Sequence, residues 1–136
     1  MAGRDKRRPI FIGDMPHAWI SSDYIRSALD LLAYERDSDH ALMLAAGVPL
    51  AWIDSETGVG VERLRTPYGA LSYRLKREGR GHVLTLSPGA TPPGGFVLRW
   101  PEGATPPAHV TIDGRDAAWA DGELSIPVGA RRVEMR

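Results

Sequence analysis

Leu71-Ser72-Tyr73-Arg74-Leu75-Lys76 is the stretch on which the fold turns. Apolar and polar side chains alternate strictly. A period of two puts Leu71, Tyr73 and Leu75 on one face and Ser72, Arg74 and Lys76 on the other, as in a half-buried β-strand. The same period recurs on both sides. Upstream, Leu42 and Leu44 alternate with Met43 and Ala45, and Val59 and Val61 in Gly58-Val59-Gly60-Val61 read as a further strand. Downstream, Leu84 and Leu86 alternate with Val83 and Thr85, and Phe96, Leu98 and Trp100 alternate with Val97 and Arg99. Val110 and Ile112 precede Asp113-Gly114, Ala117 and Trp119 precede Asp121-Gly122, and Leu124, Ile126, Val133 and Met135 follow. Asp-Gly suits a two-residue type I′ hairpin turn, in which both central residues need positive φ. Two such turns, eight residues apart, predict a meander at the C-terminal end. Eight or nine short strands with one apolar face each predict a mainly β fold, an antiparallel, jelly-roll-like β-sandwich.

The first third of the chain has a different texture. Residues 17–46 contain neither Gly nor Pro, whereas both recur at short spacing from Gly47 onward. Asp14 is placed to cap a helix whose first turn holds Pro16, where a missing N–H costs nothing. Ile20, Tyr24, Ile25, Ala28, Leu29, Leu31 and Leu32 then follow helical spacing, while Asp23, Arg26, Ser27 and Asp30 fall largely on another face. The spacing predicts one N-terminal α-helix from Pro16 to Tyr34, ending in the charged turn Glu35–His40. A lone amphipathic helix is marginal in water. Its apolar stripe, with Ile20, Ile25, Leu29 and Leu32, therefore needs the sheet, a neighbouring domain or a second copy of the chain. Met1–Pro9, with Arg4, Lys6, Arg7 and Arg8, reads as a flexible basic tail. The division is thus 1–9 tail, 10–40 helix and connector, and 41–136 β-sandwich.

Composition narrows the function classes. The 136 residues carry 17 Lys+Arg against 17 Asp+Glu, and no cysteine. A net charge of zero is not the basic footprint of a nucleic-acid binder. Without cysteine there is no disulfide framework, thiolate metal site or thiol nucleophile. No apolar run approaches the length of a membrane span, and no secretory leader is read after Met1, so a cytoplasmic setting is the default expectation.

Chemistry-bearing patterns are sparse. Glycoside hydrolysis needs two carboxyl groups about 5–9.5 Å apart. Asp14, Asp23, Glu56, Glu62 and Asp113 lie on helix faces and turns, with no spacing that selects a pair. His17, His40, His82 and His109 are scattered, and Asp14 with His17 supplies only two ligands at one helix start. Gly58-Val59-Gly60 lacks the rest of a phosphate loop, and there is no Gly-x-Ser-x-Gly elbow. No catalytic residue, metal ligand or cofactor is assigned. Among the aromatics, Tyr73, Trp100 and Trp119 are in phase with core residues. Trp52 and Tyr68 lie in loops beside Asp54, Ser55, Glu56 and Arg65, where a sugar ring can reach them; they are the candidate carbohydrate-binding residues.

Several phrases carry a family resemblance. Gly13-Asp14-Met15-Pro16-His17-Ala18-Trp19-Ile20 opens a helix, and Ala45-Ala46-Gly47-Val48-Pro49 follows the first strand. Thr66-Pro67-Tyr68-Gly69, Leu71-Ser72-Tyr73, Pro93-Gly94-Gly95 and Leu98-Arg99-Trp100-Pro101 come later. This order, over residues 10–136, resembles the C-terminal helix and β-sandwich of large bacterial glycoside hydrolases whose catalytic domain is an α/α toroid, the α-L-rhamnosidase-like enzymes. The toroid, which holds their catalytic carboxylates, has no counterpart in this chain. The resemblance therefore implies a non-catalytic accessory domain, with a neighbouring domain or carbohydrate as partner. Two alternatives remain open at this stage, a free-standing carbohydrate-binding module and a small β-barrel metalloenzyme built from the scattered histidines.

Overall fold

The computed structural model describes residues 29–136 of the chain, and Leu31–Arg136 forms one compact unit. The basic tail, the Asp14 cap, Ile20, Ile25 and the Asp14/His17 pair lie outside the described residues. The fold is mainly β. In chain order the strands are β1 (Ala33–Arg36), β2 (Ala41–Leu44), β3 (Val59–Thr66), β4 (Gly69–Glu78), β5 (Gly81–Leu86), β6 (Phe96–Arg99), β7 (Val110–Ile112), β8 (Arg115–Ala117), β9 (Glu123–Ile126) and β10 (Arg132–Met135). A single-turn helix, α1 (Leu50–Ile53), lies between β2 and β3.

The strands form two sheets, a four-stranded one in the order β1-β2-β6-β9 and a six-stranded one in the order β3-β4-β5-β10-β7-β8. Every pairing is antiparallel except β2 with β6, which run parallel. One apolar cluster draws on both sheets. Leu42, Leu44, Leu98, Leu124 and Ile126 come from the first, and Leu71, Tyr73, Leu75, Leu84, Val133 and Met135 from the second. These are the period-two positions of the sequence, so the alternation placed the core correctly. Tyr73 and Trp100 are core residues, and burial pushes the Tyr73 phenol up.

Three details depart from the sequence expectation. The helix expected to reach Tyr34 stops at Leu32, and Ala33–Arg36 is a strand paired residue for residue with Ala41–Leu44. The reason lies in where the last helical carbonyls find donors. Leu32 O accepts Ala45 N at 2.9 Å and the Tyr73 hydroxyl at 2.5 Å, and Leu31 O accepts Gly47 N at 3.3 Å. Partners distant in sequence end the helix. Leu29, expected to be buried, is 36% exposed, while Leu31 and Leu32 pack against the core.

The two Asp-Gly pairs have the predicted conformation but only one closes a hairpin of two named strands. Asp113 and Gly114 have φ of 49° and 85°, Asp121 and Gly122 of 53° and 77°. The first pair joins β7 to β8; the second joins Ala120 to Glu123 through a single bridge, after which β9 leaves for the other sheet. The C-terminal third is therefore not a meander. It crosses between sheets after β8 and again after β9, so that β9 can bury Leu124 and Ile126 beside Leu98 and Phe96.

Leu75 is fully buried, and its truncation leaves a cavity between the sheets. Leu75→Ala is expected to lower unfolding free energy by about 2–5 kcal/mol in a urea melt. The exposed Leu29→Ala should fall within about 1 kcal/mol of the parent chain.

Candidate functional site

Trp52 and Tyr68 sit at opposite ends of the six-stranded sheet. Trp52 is on α1 rather than in a loop. The turn is started by Pro49, whose carbonyl accepts Trp52 N at 3.0 Å, and is anchored by the fully buried Ile53. This leaves Trp52 50% exposed on a backbone that is held from beneath. The polar residues that follow it in the chain are bonded as well. Ser55 Oγ donates to Trp52 O at 2.7 Å, and Asp54 bonds His82 Nε2 at 2.7 Å and stands 3.9 Å from the Arg77 guanidinium. His82 in turn meets the edge of Trp100, ring centroids 5.1 Å apart, and Trp100 meets half-buried Trp119 at 5.7 Å. The Trp119 Nε1–H donates to Pro107 O at 2.8 Å, whereas the buried Trp100 Nε1–H has no acceptor among the described residues.

Tyr68 lies in the two-residue turn between Thr66 and Gly69, which are paired as the ends of β3 and β4. Thr66 Oγ1 accepts Tyr68 N at 3.1 Å and donates to Gly69 O at 2.5 Å, which locks the turn. The Tyr68 hydroxyl donates to Glu35 Oε2, and His40 Nδ1 stands 3.4 Å from that hydroxyl and 3.5 Å from Glu35 Oε2. The bond to the Glu35 carboxylate, with some burial, pushes the Tyr68 phenol up to about 12. From Tyr68 to Arg77, beside Asp54, the extended chain of β4 covers about 30 Å. The two aromatics therefore cannot stack on one sugar ring, and the Tyr68 hydroxyl is already committed.

The described histidines are held by separate partners, His40 beside Glu35, His82 beside Asp54, and His109 through backbone bonds to Arg136. Among the described residues no three His, Asp or Glu side chains converge as a metal requires. Two of the carboxylates are gripped by arginines. Glu123 receives Arg36 at 3.0 Å and Arg99 at 2.7 Å, and Arg36 also grips Asp39 at 2.8 Å. The Glu35–His40–Tyr68 cluster is not visible in the sequence, because Glu35 and His40 fall in the charged segment after the helix and Tyr68 lies 28 residues beyond His40. Its only sequence trace was the phrase Thr66-Pro67-Tyr68-Gly69. Among the described residues no helix is long and apolar enough to cross a membrane.

Comparison of the chain with family profiles, with curated proteins and with solved structures gives no match.

The Arg36 hydrogen bonds hold the Asp39 carboxyl below its ordinary value of 3.8. A depressed folded-state pKa stabilises above the unfolded value, and that contribution is lost as pH falls through the folded one. Asp39→Asn should therefore lower the urea midpoint at neutral pH. The gap to the parent chain should close as the pH drops below about 3.8, as paired acid and neutral melts will show.

Proposed function

We propose that this chain is a non-catalytic accessory β-sandwich domain that touches carbohydrate through Trp52. The observation that supports it most is the half-exposed Trp52 on the anchored turn α1, followed in the chain by Asp54 and Ser55. An indole face takes the apolar C–H face of a pyranose ring, and the polar neighbours can meet the hydroxyls at its rim. The resemblance to α-L-rhamnosidase-like C-terminal domains adds the setting, a domain adjoining a catalytic toroid whose substrate is glycan. Magnitude limits the claim usefully. An indole face burying on the order of 100 Å² contributes about 2.5 kcal/mol, before the cost of association. Such a contact by itself binds no tighter than about 10 mM, enough for an accessory contact beside a catalytic domain and too little for a free-standing module.

Titration with a panel of soluble oligosaccharides, followed by tryptophan fluorescence, tests the reading. Weak saturable quenching is expected, lost in Trp52→Ala and retained in Tyr68→Phe, with no hydrolysis of the panel. Binding that persists in Trp52→Ala, or turnover by the purified chain, overturns it.

A further inference from the structure

Beside α1 lies a cleft of about 430 Å³, within the size range of small-molecule sites, roughly 300–1,000 Å³. One wall is Val48, Pro49 and Leu50; the other is the turn Pro101–Ala104, which carries Glu102. Both walls are fixed. Val48 is buried, its N–H donating to Ala45 O at 3.3 Å, and Gly47 N donates to Leu31 O at 3.3 Å. Opposite, Pro101 is buried, Ala104 N donates to Pro101 O at 3.2 Å, and Gly103 at φ 84° completes the turn. A proline on each side restricts the backbone before anything binds. Among the described residues, Glu102 is the one ionisable group lining these apolar walls. It is exposed, with neither hydrogen bond nor ion pair to another described residue. Arg99, which borders the other side of that turn, is engaged by Glu123 at 2.7 Å. The cleft thus combines apolar walls with an unmatched negative charge.

The geometry points to this cleft as a sugar subsite that selects an amino sugar, a pyranose carrying a free ammonium group. The inference rests on the Trp52 reading, since it takes the cleft as the next position of the same bound glycan. Trp52 lies three positions after Pro49, about 4.5 Å further along the helix axis, and donates its N–H to Pro49 O at 3.0 Å. A glycan that rests on Trp52 and runs back along α1 reaches the cleft one helical turn away. There Pro49, Leu50 and Pro101 offer apolar surface to the C–H face of the ring, and Glu102 accepts from its ammonium. A charge-assisted hydrogen bond of this kind is about twice as strong as the one a neutral hydroxyl makes. A uronic acid instead brings a second carboxylate to a cleft whose described lining holds no cation to receive it, and is rejected.

The test is titration of the full chain with glucosamine, N-acetylglucosamine and galacturonic acid trimers, at low salt and about pH 5.5, above the ordinary carboxylate range. Tryptophan fluorescence reports the contact at Trp52, and the amide shifts of Glu102 and Gly103 report occupancy of the cleft. The glucosamine trimer is expected to bind about 3- to 5-fold more tightly than the acetylated one, a margin that shrinks in high salt, with the galacturonic acid trimer weakest. Glu102→Gln, in an exposed turn, should bring the glucosamine and acetylated trimers level. Asp116→Asn, which removes an exposed carboxylate on β8 outside the cleft, should keep the preference. Equal affinity for those two trimers in the parent chain, a preference unchanged in Glu102→Gln, or unmoved Glu102 and Gly103 amides overturns the subsite and leaves the Trp52 contact standing. Binding indifferent to Trp52→Ala, or no binding of any trimer, overturns both.

Discussion

Strand β2 has no face turned to water. Leu42 and Leu44 enter the core between the sheets, while Ala41 and Met43 form a second buried cluster with Val97 on the opposite side. A strand buried on both faces has to satisfy its backbone within the sheet, because water is absent on either side. It does so by pairing antiparallel with β1 and parallel with β6. The parallel partner cannot be reached by a tight turn. The intervening chain therefore builds α1 and three strands of the other sheet before it returns as β6. The crossing pattern of the fold follows from the burial of these four residues.

The same constraint places the polar features. Since β1 must pair with β2 through a short turn, Glu35 and His40 are brought to one corner. Since β6 must enter beside β2, Pro93-Gly94-Gly95 passes over that turn. At the far end of β4, α1 buries Ile53 in the core and leaves Trp52 exposed, while Asp54 reaches His82. The two ends thus differ in chemistry. One presents the exposed Trp52 on α1, the other the Tyr68 hydroxyl and His40 gathered on the Glu35 carboxylate. Neither depends on the other for its geometry.

Charge plays a quieter part. Arg36 joins Asp39 and Glu123, so a single guanidinium ties the turn after β1 to the edge strand β9 of the same sheet. These groups are partly solvated, and such pairs add little stability each. What they do is orient. Fixing Asp39 fixes the backbone of His40, and the side-chain cluster beyond it inherits that order.

Alternation along Leu71–Lys76, Val83–Leu86, Phe96–Trp100 and Leu124–Ile126 determined the class of fold and the residues that face the core between the sheets, because period two puts alternate side chains on one face. Asp113-Gly114 and Asp121-Gly122 determined their own positive φ. What local pattern could not decide was partnership. Ala33–Arg36 follows a helical run without interruption, and only the carbonyl partners offered by Ala45, Gly47 and Tyr73 end the helix before it. Whether the second Asp-Gly pair continued a meander or turned a corner depended on which sheet had a vacant edge for Leu124 and Ile126. The candidate sites divide in the same way. Trp52 and Tyr68 were legible as aromatics among polar neighbours, but their separation along β4, and the convergence of Glu35 and His40 on Tyr68, are products of pairing between distant strands. Sequence spacing encodes faces; it does not encode which faces meet.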